Sequence, residues 1–415
     1  MTGFSLPIQV IDTAAGKVWL VEDHSVPVVS LSWSWRGGAA LEPSGQEGAT
    51  SLMAAMLSEG AGDLPARGFA DALRDDAINL NFGAQRDGFE GGLRALRDVL
   101  PQALRLARLA MVQPRFDADA FERVRARALA GARQSLEAPS GQASRAFWSG
   151  AFPTHSAGRP TGGTPDSLAA LNAPMLRDAH DRQLRASGLL IAVAGAVDAA
   201  TIRSIIPALF EGLPSGAPAE GPALPAFANF PRRVVPMAFP QSTILFGQPG
   251  LPVDDQDWEV AQVLLRILGG GGFSSRLMQA VRVERGLTYG VSAGLDVLFG
   301  QAIISGGLAT ENGKVGEALD VIRAEWQRMR GNGPTESERG DAIAFLTGSQ
   351  PLQFTDSRRI ASTLLALQRN NRPLDWLAKR PERLEAITNT QLAELAKRML
   401  KDELAVVVAG QPTGL

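Results

Sequence analysis

The chain has 415 residues, 45% of them hydrophobic and 20% charged, and its 41 basic and 43 acidic side chains leave a formal charge of −2. That length exceeds one ordinary core and predicts two or more domains, while the balanced charge leaves no footprint for nucleic acid or an anionic membrane. No run of eighteen apolar residues predicts a membrane span, and the absence of cysteine removes disulfides and cysteine–zinc sites.

The opening residues, Met1-Thr2-Gly3-Phe4-Ser5-Leu6-Pro7, have neither the basic nor the apolar region of a signal peptide. The compartment stays open: periplasm if a leader has been removed, otherwise cytoplasm. Further on, Val29, Leu31, Trp33 and Trp35 alternate with Ser30, Ser32 and Ser34, which predicts a half-buried strand. A turn and a helix from about Gln46 to Leu57 follow, with Gly60 as the stop. Trp33, Trp35, Leu52, Met53 and Met56 read as core rather than interface. An Ala103-Leu104 pair opens a later amphipathic helix, and a short apolar strand closes on Val193-Ala194-Gly195.

Leu213 to Pro231 is rich in proline, alanine and glycine and lacks apolar periodicity, so 213–231 reads as a linker between residues 1–212 and 232–415. The second half repeats the order of the first. A strand at Ser242–Phe246 precedes a helix from about Gln256 to Leu268, stopped by Gly269. Ala318-Leu319 opens a later helix, and the final strand closes on Val408-Ala409-Gly410. The fold class is α+β: two tandem homologous domains, each a mixed, mainly antiparallel sheet with helices packed mainly on one face.

The strongest local signal is GGGGFSSRLMQAVRVERGLTYGVSAG, Gly269 to Gly294. Gly269, Gly270, Gly271 and Gly272 predict a tightly folded loop. Ser274 is the expected N-cap, with Phe273 and Met278 as a hydrophobic staple. The helix should turn Leu277 and Val281 inward and stop at Gly286, and Leu287 to Ala293 reads as a strand. Arg282 then falls in the last helical turn and Tyr289 near the start of the strand, where both can face one cleft. A guanidinium fork and a phenol suit a peptide carbonyl becoming an oxyanion. Each also has a structural reading, since the helix dipole favours a last-turn Arg and a strand Tyr usually packs. Tyr289 is the only tyrosine in the chain, which favours a use for its hydroxyl. No Lys follows the glycines, so the phosphate-loop pattern is absent.

This segment resembles the C-terminal signature of the inverzincin peptidases, which include pitrilysin, insulin-degrading enzyme and the mitochondrial processing peptidases. Their glycine-rich loop is followed by S-S-R-L and R-E-x-R-G-L-x-Y, and Arg282 and Tyr289 match the substrate-binding Arg and Tyr. The resemblance covers essentially the whole chain and implies one half of a clam-shell. In active members the first half carries H-x-x-E-H, whose histidines bind zinc while the Glu acts as general base. Here the frame residues Gly38, Glu42-Pro43, Gly45, Gly48 and Met56 are kept, but the three chemical positions read Ser51, Ala54 and Ala55. The third ligand should fall near Ala130-Gly131-Ala132, where there is no carboxylate, and Glu122 lies earlier on the same helix pattern. The three histidines, His24, His155 and His180, share no helical turn and read as surface or loop residues. No G-x-S-x-G elbow supports a serine hydrolase.

By resemblance, the expected function is the non-catalytic subunit of a heterodimeric zinc metallopeptidase. It would be inactive alone and bind no metal or cofactor itself, with Zn held by a homologous H-x-x-E-H partner subunit. Arg282 would hold the backbone of a peptide or unfolded polypeptide, and Tyr289 would donate to the oxyanion. The alternative is a peptidase-derived scaffold or peptide-binding protein with no role in cleavage.

Overall fold

The computed structural model describes residues 5–415. The first half contains β1 (Ile8–Thr13), β2 (Gly16–Glu22) and β3 (Val28–Arg36), then a short ribbon of β4 (Gly60–Ala61) and β5 (Leu64–Pro65). It ends with β6 (Asn79–Ala84), β7 (Gly88–Leu96) and β8 (Leu190–Gly195). The second half contains β9 (Arg233–Pro236), β10 (Gln241–Pro252), β11 (Val291–Leu298), β12 (Gln301–Glu311) and β13 (Ala405–Gly410).

The first sheet runs β1-β2-β8-β3-β7-β6 and the second β11-β12-β10-β13-β9. Reversed, the second order matches β2-β8-β3-β7-β6 strand for strand, and the first half adds β1 at one edge. The single parallel pairing of each sheet falls at the same place, β2 with β8 and β9 with β13. The two Val-Ala-Gly tripeptides close these equivalent strands. The fold is therefore α+β with a tandem repeat.

The alternation in β3 works as expected on one face: Val29, Leu31, Trp33 and Trp35 are all buried in the core of the first half. Leu52, Met53 and Met56 join them from the Ala49–Met56 helix. The other face is less solvated than a half-buried strand implies, because Ser30 and Ser34 are buried too. Helix Ser357–Arg369, from the second half, lies across that face and packs Ile360, Leu364 and Leu365 against Val21, Ala192 and Ala194. The Ser30 and Ser357 hydroxyls meet at 2.8 Å. Small serines let the helix approach closely while meeting its polar groups.

The second half receives a helix in return. Helix Pro139–Ala151 sets Phe147 and Ala143 against Ile303, Ala405 and Val407 of the second sheet. Residues 213–232 contain no helix or strand, yet Phe227 and Phe230 pack on Phe147 and Phe152. The segment is held by aromatic contacts.

Several boundaries differ from the expectations. The helix expected from Gln46 begins at Ala49, because Glu42 caps the N–H groups of Gly48 and Thr50. Strand β10 extends to Pro252, well beyond Phe246. Its partner β13 pairs only with Thr243–Gly247, so Pro249 and Pro252 lie past the doubly paired stretch, where a missing N–H is tolerated.

Candidate functional site

The Gly269–Gly294 segment departs from a simple loop–helix–strand. Helix Trp258–Leu265 does not stop at Leu268; Arg266–Gly270 continue it with π winding. Gly269 is required there by close approach, since a Cβ would sit 2.6 Å from the Ala293 nitrogen in β11. The tight turn of the four glycines is therefore confined to the stretch from Gly271 onward, where Gly272–Ser274 form a 3₁₀ turn. Ser274 is not the N-cap: its hydroxyl donates to the Gly271 carbonyl at 2.9 Å, and the next helix is entered from Ser275. Nor is Phe273 a staple. It is exposed, and the Arg282 guanidinium lies 4.5 Å above its ring. A cation on an aromatic face is held by the ring quadrupole, so Phe273 positions Arg282.

Residues Met278–Val283 wind as a second π turn, which carries Arg282 at its end and turns Leu277 and Val281 into the core. Gly286, with φ +61°, ends it as expected. The Leu287 N–H donates back to the Val281 carbonyl at 2.9 Å, which brings the backbone before Tyr289 against the turn that carries Arg282. Leu287 to Gly290 form a loop, and the strand begins at Val291, paired with Leu308.

Two threonines fix that loop. The buried Thr310 hydroxyl donates to the Leu287 carbonyl at 2.6 Å, and the Thr288 hydroxyl donates to the Ala309 carbonyl at 2.7 Å. Tyr289 stands between these anchors with 85% of its surface exposed, at the head of edge strand β11. Among the described residues its hydroxyl has no hydrogen-bond partner, and Arg282 has only the Phe273 ring. Arg276 of the same motif is structural: it pairs with both oxygens of Glu338, at 2.6 and 2.7 Å. Burial raises the Glu338 carboxyl, but the Arg276 and Thr335 contacts outweigh it and hold the group below its ordinary range.

In the first half, Ser51 donates to the Thr161 carbonyl at 2.7 Å, Ala54 is buried and Ala55 is exposed. Ala130, Gly131 and Ala132 lie on helix Ala118–Glu137, and Glu122 near its start pairs with Arg125. Among the described residues, no three His, Cys, Asp or Glu side chains gather as a metal site. The histidines lie apart. His24 is exposed and paired with Glu22, and His155 lies in a loop though buried, whereas His180 is neither a surface nor a loop residue but buried on a helix. His155 and His180 each bond a backbone carbonyl, of Pro222 and Met111 respectively. His180 falls on the periodic buried face of helix Ala173–Gln183 with Leu176, Ala179 and Gln183, whereas His155 sits outside any periodic element.

Residues 170–346 match the family described as the peptidase M16 inactive domain. The chain superposes on the crystal structure of a peptidase M16 inactive domain from Pseudomonas fluorescens with a TM-score of 0.91 and 27% identity, covering 99% of this chain and 98% of that one. The chain carries a peptidase M16 inactive domain. It is also 27% identical, over 362 residues, to the non-peptidase homolog YmxG of Helicobacter pylori, covering 86% of this chain and 83% of that protein. An uncharacterized zinc protease of Streptomyces coelicolor is 29% identical over 273 residues, 62% of this chain and 58% of that one. The chain is thus similar both to proteins named as non-peptidase or inactive M16 domains and to ones named as zinc proteases. Ser51, Ala54 and Ala55 all lie on helix Ala49–Met56. Among the described residues no helix is long and apolar enough to cross a membrane.

Proposed function

We propose that this chain is the non-catalytic subunit of a two-chain zinc peptidase, offering Arg282 and Tyr289 to a peptide or unfolded polypeptide. An H-x-x-E-H partner would supply the zinc site opposite them. One observation carries the reading: the only tyrosine of the chain is exposed, with an unpaired hydroxyl, on a loop that two threonine hydroxyls hold rigid. An exposed, preset donor is what a developing oxyanion needs, because no reorganisation is then required at the moment of reaction. Arg282, held over Phe273, keeps its N–H groups available for substrate carbonyls.

The test is to purify the chain alone and with a co-expressed H-x-x-E-H family member, then assay zinc and cleavage of fluorogenic peptides. The chain alone should be inert, and the mixture should cut far faster than the partner does. Tyr289→Phe should leave assembly intact and lower kcat of the complex roughly 10²-fold, the usual loss for one oxyanion donor. An unchanged kcat removes the role given to Tyr289. A partner equally active without this chain leaves the scaffold or peptide-binding reading instead.

A further inference from the structure

A second site is built in the first half of the chain from none of the residues of the Arg282–Tyr289 segment. A cavity of about 110 Å³ opens between helix Ala118–Glu137, helix Pro139–Ala151 and the loop from Gly158 to Pro165. Its lining includes Ala132, one of the positions where an active relative would carry its third zinc ligand. The adjoining Thr161 takes the hydroxyl of Ser51. The cavity thus borders the segments where the family resemblance would put metal ligands, but its chemistry is of the opposite sign.

Three arginines line it, Arg86, Arg145 and Arg159, together with Ser135 and Ser144, and none of its described lining residues is Asp or Glu. Arg86 is held in place. Its Nε donates to the Ala157 carbonyl at 2.9 Å, and its guanidinium lies 4.2 Å over the Trp148 ring. It is half-buried and has no ion pair among the described residues. Burial pushes its pKa down, while the more distant Asp296 and Asp87 act in the other direction. Withdrawing a cation from water without a contacting counter-ion is costly, and an anion in the cavity removes that cost. Arg159 is partly offset, with Nη1 3.4 Å from the Glu42 carbonyl and 3.7 Å from a Glu47 carboxylate oxygen. Arg145 is exposed and unpaired among the described residues, so its reach is free.

We propose that this cavity binds a small oxyanion, a carboxylate or a phosphate, clasped by Arg86, Arg145 and Arg159. Planar guanidinium forks match the two-oxygen edge of either group, and the small volume excludes a bulky ligand. A free peptide C-terminus and inorganic phosphate are the two sources of that chemistry. The site does not depend on the subunit reading, since it needs neither zinc nor a partner.

The experiment is calorimetric titration of the full chain with inorganic phosphate, with trialanine and with trialanine amide. Binding of phosphate or of the free acid is expected, and Arg145→Gln and Arg159→Gln should each weaken it by about tenfold, the usual loss of one charge-assisted contact. Arg145 is exposed, so its substitution leaves packing intact. Arg67→Gln, on an exposed helix face, controls for general charge. Phosphate binding without trialanine binding identifies phosphate as the source; trialanine binding that its amide lacks identifies the peptide terminus. No heat with any ligand at millimolar concentration overturns the proposal, as does binding that survives Arg145→Gln and Arg159→Gln unchanged.

Discussion

Glu42 reaches from the Glu42-Pro43 turn to the start of helix Ala49–Met56, accepting the Thr50 N–H at 2.7 Å and the Gly48 N–H at 3.1 Å. The helix has no side-chain cap at Gly48 itself, so this buried carboxyl does that work. Burial pushes its pKa up to about 7, against the two backbone N–H bonds that pull it down; nearby Glu47 adds to the rise. The folded state therefore keeps a proton that the unfolded chain gives up near its ordinary value of 4.5. This contribution to stability is complete below the unfolded pKa and is lost as pH rises toward about 7, for a total of roughly 3 kcal/mol. Urea unfolding at several pH values across this range should show wild-type stability falling, and Glu42→Gln should flatten that slope. A wild-type curve with no such slope would count against the buried protonated carboxyl. The sequence marks Glu42 only as part of a motif frame; its role needs the six-residue return of the chain, which no periodicity announces. The oxyanion cavity was not legible in the sequence, because Arg86, Arg145 and Arg159 lie on separate elements.

At the scale of elements, alternation and apolar periodicity located β3, the helix after it and the repeated order of strands. The tandem plan was readable because each half must bury the same kind of sheet face. Winding was less accessible. The two π turns, Arg266–Gly270 and Met278–Val283, have no sequence signature, and they displaced the expected helix stop and N-cap. Strand β11 likewise starts late because threonine hydroxyls, rather than a sheet partner, hold Leu287 and Thr288. The packing of Gly269 on Ala293 gives a direct test. Gly269→Ala places a Cβ 2.6–2.7 Å from Ala293 atoms and should destabilise the protein by about 1–3 kcal/mol through overpacking. Gly294→Ala, with no neighbouring atom within 4 Å, should change the urea midpoint little. Equal effects at the two sites would show that the contact of Gly269 with β11 does not set this geometry.

Across the whole molecule, the two halves exchange helices: Pro139–Ala151 lies on the second sheet and Ser357–Arg369 on the first. The sequence could not show this, since each helix is amphipathic whichever sheet it covers. The Phe227 and Phe230 contacts were hidden in the same way, by the breakers around them. One consequence is a single cooperative unit. Heat unfolding of the intact chain should give one calorimetric transition, and residues 1–212 expressed alone should expose Val21, Ala192 and Ala194 and bind a hydrophobic dye. Two separate transitions, or a well-behaved isolated fragment, would contradict the exchange as a stabilising feature. The exchange also bears on how the protein is made. Strand β8 completes the first sheet at Gly195, but the helix covering its far face begins at Ser357, roughly 160 residues later. At about 5–20 residues per second, that face waits on the order of ten to thirty seconds on the ribosome before its cover is synthesised. Nascent chains of this protein are thus natural clients for a holding chaperone, and slow codons between these two points would lengthen the exposure.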